Sequence, residues 1–320
     1  MGPRPFGAGA VMAIAFGLLL SPASAGDTAF VTNQSSDDLS IVDLDTMTVT
    51  KTIPIGGKPA GIAIPPDGLH AYVTSPESKS LAVIDTVKGE VVKRIALAGG
   101  PLGIAVHPSG APVYVADWFE QELFVIDPVA GAITQRIQVG QAPSGVAVSA
   151  DGRTIVTADR DSNQISLIDA ATLTVTGTVA VGERPFGVSF SADGKQVYAV
   201  NVGNDAVTVV DLASRKAIAT VPVGKRPYVG ASAAGKVFIT DQYGGTVSVF
   251  DAATYTLVKT IPVGEYPEGI EAGSNETYVY LVNWFDNLLM KIDTATLDVV
   301  AEVEVGDGPR AFGTFIRKAK

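Results

Sequence analysis

The chain has 320 residues, a formal net charge of −10 at pH 7, no cysteine and two histidines. The absence of cysteine excludes disulfides, a C-x-x-C-H haem attachment, thiolate metal sites and a lipid-modified cysteine. The acidic balance argues against nucleic acid as a bulk electrostatic partner.

Residues 1–25 read as a cleavable secretory signal. Arg4 supplies the positive start, Ala10 to Leu20 is a short apolar run, and Ala23-Ser24-Ala25 has the A-x-A form of a cleavage site. That run is too short to span a bilayer, and no later stretch is long and uncharged enough. The expectation is export to the periplasm without a membrane span. Residues 26–320 then form one domain, whose net charge moves from −10 to −11 because Arg4 is removed. A chain of this size buries ~75% of its unfolded surface, so it folds on its core alone.

From Thr28 onward the chain repeats itself. The prolines of successive G-x-x-P turns are Pro59, Pro101, Pro143, Pro185, Pro227, Pro267 and Pro309, separated by 42, 42, 42, 42, 40 and 42 residues. Asp43, Asp85, Asp127, Asp169, Asp211, Asp251 and Asp293 end apolar runs in the same period, and a third register runs through Asn33, Ser75, Asp117, Asp159, Asn201, Asp241 and Asn283. A period of this length marks a repeat architecture.

Each unit holds four short β-branched runs bounded by Gly, Pro, Asn or Asp, which is the strand signature. In the most regular unit these are Gly187–Phe190, Gln196–Val200, Ala206–Val210 and Ala217–Pro222. Asp67-Gly68, Asp151-Gly152 and Asp193-Gly194 lie between first and second runs, where glycine takes positive φ in a tight hairpin. Ser109-Gly110 is a variant. After the third run, Asp-x-x-Thr (Asp169 to Thr172, Asp251 to Thr254, Asp293 to Thr296) folds its carboxylate back onto nearby N–H groups, which makes these aspartates structural. The sixth unit loses two residues, leaving Ser232-Ala233-Ala234-Gly235, and the seventh replaces Asp-Gly by Ser274-Asn275. Both changes read as hairpin variation.

Four strands per unit and seven units predict an all-β fold, a seven-bladed β-propeller of four-stranded antiparallel blades. The chain enters at a second-type strand, Thr28–Thr32, and Ala311–Ile316 after the last proline supplies the missing first strand. The ring is therefore expected to close with a C-terminal strand completing the N-terminal blade.

The segments Phe30-Val31-Thr32-Asn33, Tyr72-Val73-Thr74-Ser75 and Tyr114-Val115-Ala116-Asp117, followed by S-V-I-D-like runs and T-I-P-V-G, resemble the YVTN-type, YncE-like repeat family of β-propellers. The resemblance covers the whole chain after residue 25. It implies an extracytoplasmic seven-bladed propeller, and some relatives accompany periplasmic alcohol- or amine-oxidation systems that use quinone cofactors. A quinone-dependent dehydrogenase of this shape is expected to carry Trp-rich blade motifs, and two tryptophans do not meet that.

Functional signals are sought where the repeat breaks on the face shared by the G-x-x-P turns and the loops after the third register. Trp118-Phe119 and Trp284-Phe285 break it most clearly and contain the only two tryptophans. Tyr243 stands at an equivalent position. The proline turns add Phe186, Tyr228, Tyr266 and Phe312, interleaved with Arg184, Arg226, Arg310, Glu265 and Glu268. Aromatic and arginine side chains on loops are enriched where partners bind.

Asp117, Asp159 and Asp241 offer oxygen ligands on that face, but they recur blade by blade and read as loop caps, so no metal site is assigned. His70 and His107 lie near the opposite hairpins at non-equivalent positions. No G-x-S-x-G, H-E-x-x-H or P-loop pattern occurs, so no catalytic residue and no cofactor are assigned. The reading is a monomeric, non-enzymatic periplasmic propeller, a binding, scaffold or accessory protein. It takes a periplasmic protein or small ligand at its aromatic face, without nucleic acid. The alternative is a lactonase-like hydrolase or a lyase at the same mouth, by fold analogy.

Overall fold

Repetition of one hydrophobic pattern makes every unit the same small sheet. The computed structural model describes residues 1–2 and 26–319, so the predicted signal lies outside the described residues apart from its first two positions. The strands form seven sheets in chain order, six of four strands and one of five. The inner strands touch their neighbours in cyclic order around one axis. The protein is a seven-bladed β-propeller, as its repeats predict. Among the described residues the only helical turn is Arg160–Ser162, and no helix is long and apolar enough to cross a membrane.

The strands of the regular unit run Pro185–Phe190, Gln196–Asn201, Ala206–Asp211 and Lys216–Pro222. The middle two are buried on both faces, which is why they read as unbroken apolar runs, while the outer strand is mostly exposed. The core lies between adjacent blades: Phe30, Ile41, Ile62, Tyr280 and Leu289, from three blades, share one apolar cluster.

The turns behave as their chemistry dictates. Gly68, Gly110, Gly152 and Gly194 all have positive φ. The two-residue deletion in the sixth blade gives a tight hairpin, with Ala233 paired to Lys236 and both Ala234 and Gly235 at positive φ. Asp169 Oδ1 accepts the N–H groups of Ala171 and Thr172 at 3.0 and 2.8 Å, and Asp251 and Asp293 repeat this.

The C-terminal segment closes the ring, but in two pieces rather than one strand. Phe312–Thr314 runs parallel to Gly61–Ala63 as a fifth strand of the second sheet. Ile316–Arg317 then pairs antiparallel with Thr28 and Ala29 of the first. Ahead of the first piece Arg310 N–H donates to the Thr32 carbonyl at 2.8 Å, and between the two Phe30 N–H donates to the Phe315 carbonyl at 2.8 Å. Gly313, at a φ of 127°, lets the segment change sheets.

Candidate functional site

The mouth is built by the residue that follows each proline of the G-x-x-P turns. In five blades the pairing of inner and second strands shifts register just after this proline, between Pro185 and Val188 for example. Such a bulge re-aims a side chain. The seven residues so placed are Ala60, Leu102, Ser144, Phe186, Tyr228, Glu268 and Arg310. Leu102, Phe186, Tyr228, Glu268 and Arg310 line cavities at this face and form its floor.

The wall is one residue beyond the third register: Gln34, Pro76, Trp118, Arg160, Val202, Gln242 and Trp284. The register residues are themselves fully buried and hold the loops. Asp117 Oδ1 accepts the N–H groups of Gly100 (3.0 Å), Phe119 (3.0 Å) and Glu120 (3.2 Å), which fixes Trp118 between them. Asp159 and Asp241 bind neighbouring hydroxyls, and burial pushes both carboxyls up, Asp241 to about 6. The three aspartates serve their own blades. Among the described residues no three His, Cys, Asp or Glu side chains stand together as a metal site.

Seven of the nine predicted aromatic residues fall into two groups. Trp118, Phe186, Tyr228 and Phe312 form a packed stack: Phe186 is 4.6 Å from Tyr228, 5.2 Å from Phe312 and 6.2 Å from Trp118 between ring centroids. Phe186, Tyr228 and Phe312 are buried and Trp118 is half-buried. Tyr243, Tyr266 and Phe285 form a row along the rim, with successive centroids 5.7 and 5.3 Å apart. Phe119, Tyr243 and Phe285 are exposed by 70%, 65% and 63%. Trp284 lies under Arg310, 5.5 Å from its guanidinium.

Two of the three predicted arginines, Arg226 and Arg310, line one cavity, and Arg184 does not. Arg310 is central: its Nε lies 2.9 Å from Glu268 Oε2, its Nη2 donates to Tyr228 Oη at 3.0 Å, and its Nη1 to Gln34 Oε1 at 3.2 Å. Burial works against the guanidinium, but Glu268 and Tyr228 hold it protonated with its pKa above the usual value. Burial likewise pushes the Glu268 carboxyl up, and Arg310 pulls it back. Arg226 Nε donates to Gln242 Oε1 at 3.0 Å, and its guanidinium lies 4.8 Å over Tyr243. Arg184 is exposed and lines neither cavity.

Two cavities meet over this floor. One of about 620 Å³ is lined by Leu102, Trp118, Phe119, Phe186, Lys58 and Arg310 among others. The other, of about 210 Å³, is lined by Arg160, Arg226, Tyr228, Gln242, Tyr266 and Glu268, and shares Trp118, Phe186 and Arg310 with the first. The larger is of the size that takes a small organic ligand. Gln34, Lys58, Leu102, Arg160 and Gln242 are mouth residues that the search for aromatic outliers passes over. The signal that finds them is positional, since each holds a fixed offset from a repeat marker. His70 and His107 stand at the other end of the blades, His107 bonded to Ser109 at 2.7 Å.

A family model described as a YNCE-like beta-propeller matches residues 23–108 and 146–231, more than half of the chain. No curated protein matches the sequence. Among solved structures, a functionally unknown protein from Desulfotomaculum acetoxidans DSM 771 superposes with a TM-score of 0.75 at 18% identity, over 89% of this chain and 99% of that one. Kuenenia stuttgartiensis hydrazine synthase gives 0.71 at 20% identity, over 80% and 89%. The dihydro-heme d1 dehydrogenase NirN in complex with DHE gives 0.68 at 15% identity, over 90% and 74%. At these identities the likeness is one of fold.

Proposed function

The chain belongs to the YNCE-like β-propeller family, and from that premise we propose that it is an exported, monomeric, non-enzymatic binding protein whose ligand or partner sits in the aromatic mouth. One observation carries this. Both tryptophans, the Phe186–Tyr228–Phe312 stack and the Glu268–Arg310 pair stand on one face, and a cavity of about 620 Å³ lined by Trp118, Phe186 and Arg310 opens on it. Of the three remaining floor positions, Ala60 and Ser144 are small and Leu102 is apolar. Blades that must only pack have no need of this asymmetry, and a cup that binds does. Export rests on the predicted signal in residues 1–25. A role accessory to a periplasmic oxidation system rests on the family resemblance.

Capture from a periplasmic extract tests the reading. Trp118→Ala and Trp284→Ala are expected to weaken capture at temperatures where both variants remain folded, beyond what any fall in melting temperature explains. Equal loss of folding in both variants sinks it.

A hydrolase or lyase at the mouth is the alternative, carried by the buried Glu268 carboxyl beside Tyr228 and Arg310. Turnover of a lactone panel by the purified protein, abolished in Glu268→Gln, decides for it. No turnover decides against.

A further inference from the structure

We propose that the mouth takes a small-molecule anion with a planar apolar body, the body lying against Trp118 and Phe186 in the larger cavity and the anionic group on Arg226 in the smaller. This deepens the mouth-binding reading and rests on it.

The smaller cavity is lined by three guanidiniums, Arg160, Arg226 and Arg310, and one carboxylate, Glu268. That excess of positive charge stands in a chain whose net charge is −10. Two of the three arginines are already matched. Arg310 lies 2.9 Å from Glu268 Oε2, and Arg160 Nη1 donates to Asp161 Oδ1 at 2.6 Å. Arg226 pairs with no carboxylate among the described residues.

Arg226 is held open rather than left loose. Gln242 is 3% exposed and donates its amide N–H to Glu268 Oε1 at 2.9 Å, so its carbonyl oxygen is turned to Arg226 Nε, 3.0 Å away. Glu268 thus serves Arg310 directly and reaches Arg226 only through a neutral amide. A guanidinium carries five N–H donors. Gln242 takes the one on Nε, and the forked pair of Nη groups suits a carboxylate, sulfonate or phosphate.

Arg226 differs from its counterparts in the other blades. Lys58, Arg184 and Arg226 occupy the same position, before a mouth proline, each at positive φ. Lys58 pairs with Asp37 at 3.2 Å, and Arg184 points its charge to solvent outside both cavities. Only Arg226 faces the smaller cavity with its charge unanswered. Trp118 and Phe186 line both cavities together with Arg310, their rings tilted 55° to one another, so an angled aromatic wall runs through the two cavities to the cation at Arg226.

Two fluorescent probes that differ in one group test this: anilinonaphthalenesulfonate and its uncharged parent, phenylnaphthylamine. We expect the sulfonate to bind at least ~10-fold more tightly than the parent. Arg226→Gln erases that ratio by weakening the sulfonate alone, Arg226→Lys keeps part of it, and Trp118→Ala weakens both probes. If both probes bind and their ratio is near one, or does not change in Arg226→Gln, the anion site is overturned and mouth binding stands. If neither probe binds, both fall.

Discussion

Arg310 Nε lies 2.9 Å from Glu268 Oε2, and the two residues occupy the same position, after the mouth proline, in adjacent blades of the closed ring. Glu268 is 2% exposed on its side chain and Arg310 21%. The pair ties the C-terminal segment to the last full blade. Glu268→Gln leaves a largely buried guanidinium without its counter-charge, and a cost of about 3–5 kcal/mol in urea unfolding is expected. The double substitution Glu268→Gln with Arg310→Met should cost less than the two single changes added. Strict additivity would show that the pair is not coupled.

Stability should rise as the solution is acidified from about pH 8 to about pH 5. Glu271 faces the other end of the channel, where its Oε2 accepts the N–H groups of Phe315 and Ile316 at 2.6 and 2.8 Å. Burial pushes its carboxyl up from 4.5 to about 7, and that of Asp241 to about 6. A carboxyl raised on folding is protonated in the native chain while still ionised in the unfolded one. Its contribution is therefore full below the unfolded value and is lost as pH rises through the folded one. At lower pH the sign reverses. Asp43, Asp169, Asp251 and Asp293 are held below 3.8, chiefly by backbone N–H groups, and their contribution disappears as they protonate. Melting temperature against pH should thus pass through a maximum, and Glu271→Gln should flatten its upper limb. A wild-type curve that is level from neutral to mildly acid pH contradicts this.

Gly103→Ala should prevent folding, whereas Gly194→Ala should cost only about 1 kcal/mol. A Cβ on Gly103 would overlap the Ser144 carbonyl oxygen of the next inner strand, a backbone atom with no room to yield. A Cβ on Gly194 meets open space, and only the φ of 69° opposes it. Soluble yield and melting temperature separate the two cases.

Floor and rim aromatics should part company in stability. Phe119→Ala and Phe285→Ala, at exposed positions, are expected to change unfolding free energy by less than about 0.5 kcal/mol. Phe186→Ala removes a ring that is 8% exposed and stacked on two others, at a cost of about 3 kcal/mol. Denaturant midpoints give all three. A rim substitution as costly as Phe186→Ala would mean that the rim rings cap the core.

The sequence alone determined the blade. Pro185, Asp193-Gly194 and Asp211 act through a fixed φ, a tight hairpin and a folded-back carboxylate, all within a few residues. Repetition of such local devices leaves a ring as the structure that buries every sheet face. The same period located the mouth and picked out Trp118 and Trp284 as departures from it. Two things lay beyond it. The second glycine of G-x-x-P-x-G, Gly103 or Gly145, is there because the neighbouring inner strand passes against it. And Arg184 and Arg226, which hold the same repeat position, become an exposed side chain and a cation in a cavity with no carboxylate partner, while Arg310, after its proline, becomes half of a buried ion pair. That difference depends on which side chains the neighbouring blades bring up, and the first and last blades, which supply Arg310 and Glu268, become neighbours only when the ring closes.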